Sequence, residues 1–299
     1  MRAYLAVPDR SAELEEELSR SGAKVLERHH RLIITDTGPS RAAWASNVWL
    51  EPQRIEFESI SDAARKLGEL QQHWAFYGET HFRRGNLIAQ SFGPQRTPVL
   101  TFGEPAPKTP LGSFTLLEPN VMVASAKCSS PFANGEVEFE ETQVPPSRAY
   151  LKLWELFTLT GRRPKPKETC IDLGGSPGGW TWVLASLGAH VTSIDKAPLD
   201  PKVAHLPNVR FLQQSAFALE PHSHGGVDWL FSDVICYPER LLQYVEQWLQ
   251  TNKARYFVCT LKFQGETDHE VARKFAKIPG SRLVHLHHNK HELTWFKLS

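Results

Sequence analysis

A glycine-rich segment, DLGGSPGGW at residues 172–180, carries the clearest chemical signal in the sequence. Its four glycines let the backbone approach a ligand closely, and amide N–H groups at a helix start attract an anionic group. The segment lacks the G-x-G-x-x-G dinucleotide fingerprint, because Ser176 stands at the second glycine position. It also lacks the Lys-Ser or Lys-Thr that ends a phosphate-binding P-loop. An ordinary tight turn is the other interpretation, and the density of glycines argues against it.

A carboxylate further along the chain favours a ligand that contains a nucleoside. Asp195 ends the strand predicted after the glycine-rich segment, where a carboxylate can accept hydrogen bonds from two ribose hydroxyls. Such a ligand does not need a pyrophosphate. The sequence therefore indicates a nucleoside-containing cofactor, and a nicotinamide-dependent oxidoreductase stays open as one alternative.

The elements around this segment predict an α/β fold. A strand over 169–174, a helix ending at Gly188 and a strand over 190–195 form a β-α-β unit. Further strands are predicted in NVRFLQQ, VDWLFSD, ARYFVCTLK, RLVHLHH and ELTWFKL, with helices over 238–250 and 267–277. This alternation predicts a doubly wound α/β sheet that binds ligands at the carboxyl ends of its strands. Only a few residues join the last two strands, so we expect that pair to be antiparallel.

The segment ETQVPPSR at 141–148 marks the predicted boundary between two domains. A length of 299 residues also argues for about two domains, which we place at 1–145 and 146–299. The C-terminal domain then opens with a helix in which apolar residues recur at helical spacing and Ser147 is a candidate N-cap.

The N-terminal half predicts a smaller α+β domain. YLAV, SAELEEELSRSG and RLIITD indicate a strand, a helix and a strand, and a second helix is predicted over 61–72. Strands are predicted in NLIAQSF, SFTLLEP and VMVASA, and Asn134-Gly135 is a turn signal ahead of EVEFEE. The simplest interpretation is a folded accessory domain without chemistry of its own.

Charge differs between the two halves, although the net charge is only +1. Residues 1–145 carry 15 Lys+Arg and 19 Asp+Glu, whereas residues 146–299 carry 19 and 14. The C-terminal half is therefore the better place to seek a phosphate-rich partner. The cysteines are irregularly spaced, which predicts reduced thiols rather than disulfides or a zinc site. No apolar run approaches a membrane span and the first residues lack a signal-peptide pattern, so we expect a cytoplasmic monomer with no membrane partner.

The motifs resemble the S-adenosylmethionine-dependent 2′-O-ribose methyltransferases of the FtsJ/RrmJ type. That family carries a Lys-Asp-Lys-Glu tetrad, and SRAYLKL, FSDV, TLKF and KHELTWF supply Lys152, Asp233, Lys262 and Glu292 in that order. PPSRAYLKLWELF, DLGGSPGGWTW and SIDKAP are most similar to the branch that methylates a cytidine ribose in large-subunit ribosomal RNA. The resemblance covers about residues 125–299. It implies a Rossmann-like methyltransferase sheet, S-adenosyl-L-methionine as methyl donor and ribosomal RNA as partner.

The resemblance also implies a set of cofactor-binding residues, namely Asp172, Gly174, Ser176, Pro177, Gly178, Gly179, Trp180, Asp195, Ser215 and Asp233. The family usually places an acid after the third strand, at the adenine end of the cofactor. This sequence has Ser215 and Ala216 there, so we expect weakened or redirected cofactor binding at that end. The opening strand, helix and strand are similar in outline to a THUMP-like RNA-binding region, which the branch carries at its N-terminus.

The implied tetrad is suited to methylating a ribose hydroxyl, a poor nucleophile that must lose its proton as it attacks. Lys262 is our candidate general base, and a second ammonium beside it, that of Lys152, disfavours its protonation. We expect Asp233 to orient Lys262 and to stabilise the positively charged methyl donor. Glu292 would hold Lys152 or the ribose in place. Taken singly, each of these residues is as well interpreted as a solvated charge.

Two further groups of residues bear on partners. The basic stretch GRRPKPK, with Arg162, Arg163, Lys165 and Lys167, is a candidate RNA contact, and a solvent-exposed charged loop is the other interpretation. The histidines at 285, 287, 288 and 291 invite a metal hypothesis, but 285 and 287 alternate with Val284 and Leu286. We therefore favour surface or RNA-facing histidines on one strand face, and no metal. A catalytically silent RNA-binding relative of the family is the main functional alternative.

Overall fold

The computed structural model describes residues 1–93, 98–223 and 225–299, without the side chain of residue 223. The chain divides into two compact units, Met1–Glu140 and Glu141–Ser299. In the described residues, no helix combines the length and the apolar character that a membrane crossing requires.

The N-terminal unit is an α+β fold. Its elements are β1 (Arg2–Ala6), α1 (Ser11–Arg20), β2 (Val25–His29), β3 (Leu32–Thr35), β4 (Ala45–Trp49), β5 (Gln53–Glu56), α2 (Ile60–Leu70), β6 (Trp74–Phe76), α3 (Phe82–Ala89), β7 (Val99–Leu100), β8 (Gly112–Glu118), β9 (Val121–Ser125) and β10 (Glu138–Phe139). Within its described residues they form a sheet of order β2-β3-β1-β4, a sheet of order β5-β9-β8-β6 and the pair β7-β10.

The predicted opening of the N-terminal unit is confirmed with one addition, the strand β2, which pairs with β3. The helix predicted over 61–72 and the strands predicted in SFTLLEP and VMVASA correspond to α2, β8 and β9. The strand predicted in NLIAQSF is wrong, because these residues lie in α3 and in a short 3-10 helix over Gln90–Phe92. Ile88 and Ala89 are buried against the core, whereas Leu87 is 43% exposed, so the apolar run covers only one helical face.

The C-terminal unit alternates helices and strands. Its elements are α4 (Tyr150–Thr160), β11 (Thr169–Leu173), α5 (Gly179–Ser186), β12 (His190–Asp195), α6 (Pro201–Ala204), β13 (Val209–Gln213), β14 (Val227–Ser232), α7 (Pro238–Thr251), β15 (Ala254–Lys262), α8 (His269–Ala276), β16 (Ser281–Val284) and β17 (Glu292–Lys297). In the described part of the unit these strands form one sheet of order β13-β12-β11-β14-β15-β17-β16.

The sheet confirms the predicted α/β class and the predicted antiparallel final strand. The five strands β13, β12, β11, β14 and β15 are parallel, and β17 runs antiparallel to both β15 and β16. The carboxyl ends of the parallel strands therefore share one edge, which we call the carboxyl edge, and their first residues share the opposite amino edge. Ligands of such sheets bind at the carboxyl edge.

One local prediction in this unit is wrong, and one strand is shorter than predicted. Ser147 does not cap α4, whose N-cap is Ala149 without a side-chain hydrogen bond. Ser147 lies against the start of α5, where a Cβ built on Gly179 would come 2.5 Å from its hydroxyl oxygen. The strand predicted over RLVHLHH ends at Val284, so the following histidines do not alternate across a strand.

Candidate active site

The glycine-rich segment forms the turn between β11 and α5, at the carboxyl edge. Gly174 has φ 74°, and a Cβ there would approach the Val234 Cα to 2.7 Å. Both its conformation and its close neighbour therefore require glycine. This contact brings the turn directly against the segment that follows β14.

A cavity of about 370 Å³ opens between this turn and the ends of the neighbouring strands. Its lining residues are Gly174, Ser176, Asp195, Lys196, Ser215, Ala216, Phe217, Asp233, Val234, Ile235, Arg240 and Lys262. Five of the sequence-predicted cofactor residues therefore line this cavity, and so does Lys262, the candidate base. The sequence reasoning missed five lining residues, namely Lys196, Phe217, Val234, Ile235 and Arg240. Of these, Lys196 and Val234 directly follow predicted site residues.

Asp195 is held in a fixed orientation within the cavity. Its Oδ2 accepts a hydrogen bond from the Ser176 amide at 3.1 Å, and its Oδ1 accepts one from the Ala197 amide at 2.9 Å. The amide of Ser176 is therefore already occupied by the protein. The carboxylate is a preorganised acceptor at the end of β12, as the sequence predicts for a ribose ligand.

Asp172 lies beneath the cavity rather than on its described wall. It is fully buried, and its Oδ2 accepts a hydrogen bond of 2.6 Å from the Thr181 hydroxyl. Its Oδ1 is buried without a hydrogen-bond partner. Burial, reinforced by the negative charges of Asp233 and Asp195, raises the pKa of Asp172 to about 7.

Other predicted cofactor residues support the turn instead of facing the cavity. Pro177, Gly178, Gly179 and Trp180 are not among the described residues that line it. The buried Trp180 indole donates to the Ala149 carbonyl at 2.9 Å, and its ring centre lies 5.8 Å from the Lys152 Nζ. Trp180 thus ties α5 to the start of α4.

The four residues of the predicted tetrad converge on one point. The Lys152 Nζ donates to the Asp233 Oδ1 at 2.9 Å and to the Glu292 Oε1 at 2.8 Å. The Lys262 Nζ lies 3.2 Å from the Asp233 Oδ1 and donates to the Asp233 carbonyl oxygen at 2.6 Å. Asp233 therefore contacts both ammonium groups. We call these four residues the Lys-Asp-Lys-Glu cluster.

Each member of the cluster is positioned by a different element. Asp233 directly follows β14, and its amide donates to the Leu173 carbonyl at 3.1 Å. Lys262 is the last residue of β15 and Glu292 the first of β17, and the two are opposite each other in the antiparallel register. Lys152 lies on the first turn of α4. The antiparallel final strand thus places the fourth member, because a parallel strand would begin at the other edge.

Burial and pairing determine the charge state of Lys152. Burial alone would lower its pKa, but the nearby Asp233 and Glu292 carboxylates outweigh burial and raise the pKa above its ordinary value. Lys152 is therefore a permanent cation at neutral pH. Lys262 has the more exposed side chain, 21% against 8%, and only Lys262 of the two lines the cavity.

Glu155 is a residue of this site that the sequence reasoning missed. It is buried on α4, one turn after Lys152, and accepts hydrogen bonds from the His287 and His288 amides at 2.7 and 3.0 Å. The His288 Nδ1 also lies 2.8 Å from its Oε2. Glu155 anchors the segment that leads into Glu292. A carboxylate inside the apolar run YLKLWELF was the available signal.

The predicted surface role of the histidines needs correction for His288, which pairs with Glu155 instead of projecting from a strand. The His285 Nε2 lies 2.8 Å from the Lys290 carbonyl oxygen, and the His291 Nε2 lies 3.1 Å from the Thr267 hydroxyl. Among the described residues, no group of three or more His, Cys, Asp or Glu side chains is placed to hold a metal ion. The cysteines are free, and three of them are buried.

The basic stretch follows the last turn of α4 and so lies at the amino edge, away from the cavity. Arg162, Arg163 and Lys165 line a second cavity there, of about 780 Å³. Lys167 has φ 71°, and its amide donates to the Gly188 carbonyl at 2.8 Å.

Comparisons with known proteins agree with this arrangement. Residues 145–278 match the model of the FtsJ-like methyltransferase family. Curated relatives named "Ribosomal RNA large subunit methyltransferase M" include those of Halorhodospira halophila, 38% identical over 50% of this chain and 46% of the relative, and Laribacter hongkongensis, 28% identical over 77% and 61%. The chain spans about half the length of the first of these relatives.

A solved structure described as a ribosomal RNA methyltransferase from Plasmodium falciparum is 18% identical, with a TM-score of 0.37, and covers 50% of this chain and 96% of its own. The family match covers α4 to α8, the glycine-rich turn and three members of the Lys-Asp-Lys-Glu cluster. Over residues 145–278 the chain is therefore similar to the FtsJ-like methyltransferase family.

Proposed function

We propose that the protein transfers a methyl group from S-adenosyl-L-methionine to a ribose 2′-hydroxyl of RNA, with ribosomal RNA as the acceptor. The observation that carries this proposal is the Lys-Asp-Lys-Glu cluster, because it brings a cavity-facing lysine to the carboxyl edge of the sheet. The name shared by the curated relatives supports RNA as the acceptor. A cytoplasmic, monomeric protein remains our expectation.

The cavity fits the proposed cofactor in the chemistry of its donors and acceptors. Asp195 offers fixed carboxylate oxygens to a ribose, and Ser215 offers a hydroxyl near the purine end. Asp233 places negative charge where S-adenosyl-L-methionine would supply a methyl group on a positively charged sulfur. Ser215 and Ala216 stand where the family usually has an acid, and the Arg240 guanidinium lies 4.2 Å from the Phe217 ring centre. We expect this end to recognise the purine by stacking and shape.

Lys262 acts as the general base in this proposal. As the 2′-oxygen forms its bond to the methyl carbon and the bond from that carbon to sulfur breaks, the hydroxyl proton passes to the Lys262 amine. The Lys152 ammonium stays charged and bound to both carboxylates. Asp233 holds Lys262 at the cavity wall. Glu292 keeps Lys152 in place.

The acceptor nucleoside would approach past the segment between β14 and α7. Ile235 and Tyr237 are 75% and 70% exposed there, close in sequence to Asp233. An aromatic ring at an open rim can stack on an unpaired base. We also propose that the N-terminal unit is a THUMP-like RNA-binding domain, on the basis of its opening strands and helix.

The decisive experiment replaces Lys262 and measures methyl transfer and cofactor binding separately. With Lys262→Ala, single-turnover transfer to ribosomal RNA from cells that lack the protein should fall at least about a hundredfold. Calorimetric affinity for S-adenosyl-L-methionine should change little, because Asp195 and the glycine-rich turn are intact. Retained transfer in the variant would exclude Lys262 as base.

Mapping the modified nucleotide tests the acceptor class. A methyl group found on a base or on protein, instead of a ribose oxygen, would contradict the proposal. Cofactor binding without transfer to any RNA would favour the silent RNA-binding relative, and binding of NAD in place of S-adenosyl-L-methionine would favour the oxidoreductase.

A further inference from the structure

A basic groove lies at the amino edge of the C-terminal sheet, on the opposite side from the Lys-Asp-Lys-Glu cluster. It is the cavity of about 780 Å³ described above, and the first residues of β14 and β15 contribute to its wall beside the end of α4. Its cations are Arg162, Arg163, Lys165 and Arg255, all of them exposed. Arg255 was not predicted from the sequence, because it joins the basic stretch only through the fold.

The acidic groups near this basic groove are occupied by the protein. The Glu168 Oε2 accepts hydrogen bonds from the Trp229 indole at 2.7 Å and from the Lys165 amide at 3.0 Å. The Asp228 Oδ2 accepts from the Thr169 amide and hydroxyl at 2.8 and 2.9 Å. Four cations and one carboxylate line the groove, so its net charge is positive.

Two of the guanidinium groups are preorganised around one buried aromatic ring. The Arg162 Nη1 donates to the Tyr256 hydroxyl at 2.9 Å, and its Cζ lies 5.4 Å from the ring centre. The Arg255 Cζ lies 4.8 Å from the same centre. A stacked guanidinium loses less freedom on binding and presents a planar donor fork that matches phosphate oxygens. This geometry is what a phosphate-binding surface requires.

We propose that the basic groove binds the RNA backbone as a contact site separate from the methyl-transfer site. The proposal deepens the function above and rests on it for the identity of the substrate class. Arg255 and Lys262 are both on β15, and at about 3.3 Å per residue they are roughly 23 Å apart. A duplex that reaches from one to the other needs about seven base pairs or more. RNA that engages both sites therefore extends from the carboxyl edge to the amino edge.

The test compares two charge-matched double variants. Lys165→Gln with Arg255→Gln removes two groove cations, and Arg273→Gln with Lys277→Gln removes two exposed cations on and just after α8. The probes are an RNA stem-loop of about 20 base pairs and a single-stranded RNA of about four nucleotides. Affinity is measured by fluorescence anisotropy over a range of salt concentrations, with circular dichroism to verify folding.

We expect the groove variant to bind the stem-loop more weakly and with a salt slope reduced by about two, whereas the α8 variant keeps the wild-type slope. Both variants should bind the short RNA as the wild type does, and both should keep wild-type affinity for S-adenosyl-L-methionine. Equal slopes for the two variants would overturn the proposal. The proposal would also be overturned if inorganic phosphate bound in the groove but did not compete with the stem-loop.

The proposed function and this inference fail in different ways. A wild-type protein that binds the stem-loop through the groove but transfers no methyl group to RNA contradicts only the former. If the groove variant methylates long RNA as efficiently as the wild type and its salt slope is unchanged, only the inference about the groove is contradicted.

Discussion

The two edges of the C-terminal sheet hold positive charge in different ways. At the carboxyl edge, Lys152 and Lys262 both pair with Asp233, and Lys152 also pairs with Glu292. At the amino edge, the basic groove exposes cations that outnumber their acidic neighbours. A buried charge must be paired to be tolerated, so at the carboxyl edge each cation contacts a carboxylate. An exposed surplus of charge instead acts at long range and depends on salt.

The largest effect on stability should come from removing the buried cation. Lys152→Met leaves the Glu292 carboxylate without its ammonium partner, and we expect a loss of about 3 kcal/mol in the free energy of unfolding at neutral pH. Because pairing raises the Lys152 pKa, the stabilisation is fully present below the ordinary value of 10.5 and is lost only as pH rises above it. Urea denaturation at neutral pH measures the difference.

A second variant keeps this prediction specific to pairing. Lys152→Met with Glu292→Gln removes the unpaired charge as well, so the double variant should be more stable than Lys152→Met alone. If the single and double variants have the same free energy of unfolding, Lys152 stabilises the fold through packing and not through its charge.

The next effect should come from Asp172, the carboxyl beneath the cavity. Its pKa rises from 3.8 to about 7 in the folded protein, so between these values the folded state holds a proton that the unfolded state has lost. Stability therefore falls as pH rises through this range, by at most about 4 kcal/mol. Asp172→Asn keeps an acceptor for the Thr181 hydroxyl but cannot ionise, so it should stabilise the ligand-free protein above neutral pH and much less near pH 5. Thermal unfolding of the variant and the wild type at both pH values measures this difference. An equal gain in stability at both pH values would show that folding does not protonate Asp172.

The family resemblance implied the cluster, and the strand ends predicted from the chain supported it. Asp233 directly follows an apolar strand and Lys262 ends one. The short connection before Glu292 predicted an antiparallel strand, which returns Glu292 to the same edge. The unpredicted features depend on packing between distant segments. The strand β2 has three exposed residues among its five and carries no apolar alternation, and Arg255 reaches the groove only because β15 lies beside β14. Likewise, Glu155 has its role through a segment 132 residues away.

A smaller effect on activity is expected from Glu155, which acts on the reaction only through the segment before Glu292. Glu155→Gln keeps one acceptor oxygen for one of the two backbone amides, but it loses the other amide and the ion pair with His288. We expect kcat to fall about tenfold through misplacement of Glu292, with the KM for S-adenosyl-L-methionine unchanged because Glu155 is not on the described cavity wall. Glu155→Asp should restore part of kcat. A parallel loss of cofactor affinity would indicate a general loss of structure instead.

The smallest effect on stability should come from an exposed cation of the basic groove. Lys165→Gln removes a charge whose side chain is solvent-exposed, so the free energy of unfolding should change by less than about 0.5 kcal/mol. Its stem-loop affinity should nevertheless lose about one unit of salt slope, since that slope counts neutralised phosphates and not folding energy. For Lys152→Met we expect the opposite combination, which is a large change in the free energy of unfolding and no direct change in the salt slope. Finding that Lys165→Gln unfolds as easily as Lys152→Met would show that the amino edge depends on its cations for folding, and the division of roles between the two edges would then be wrong.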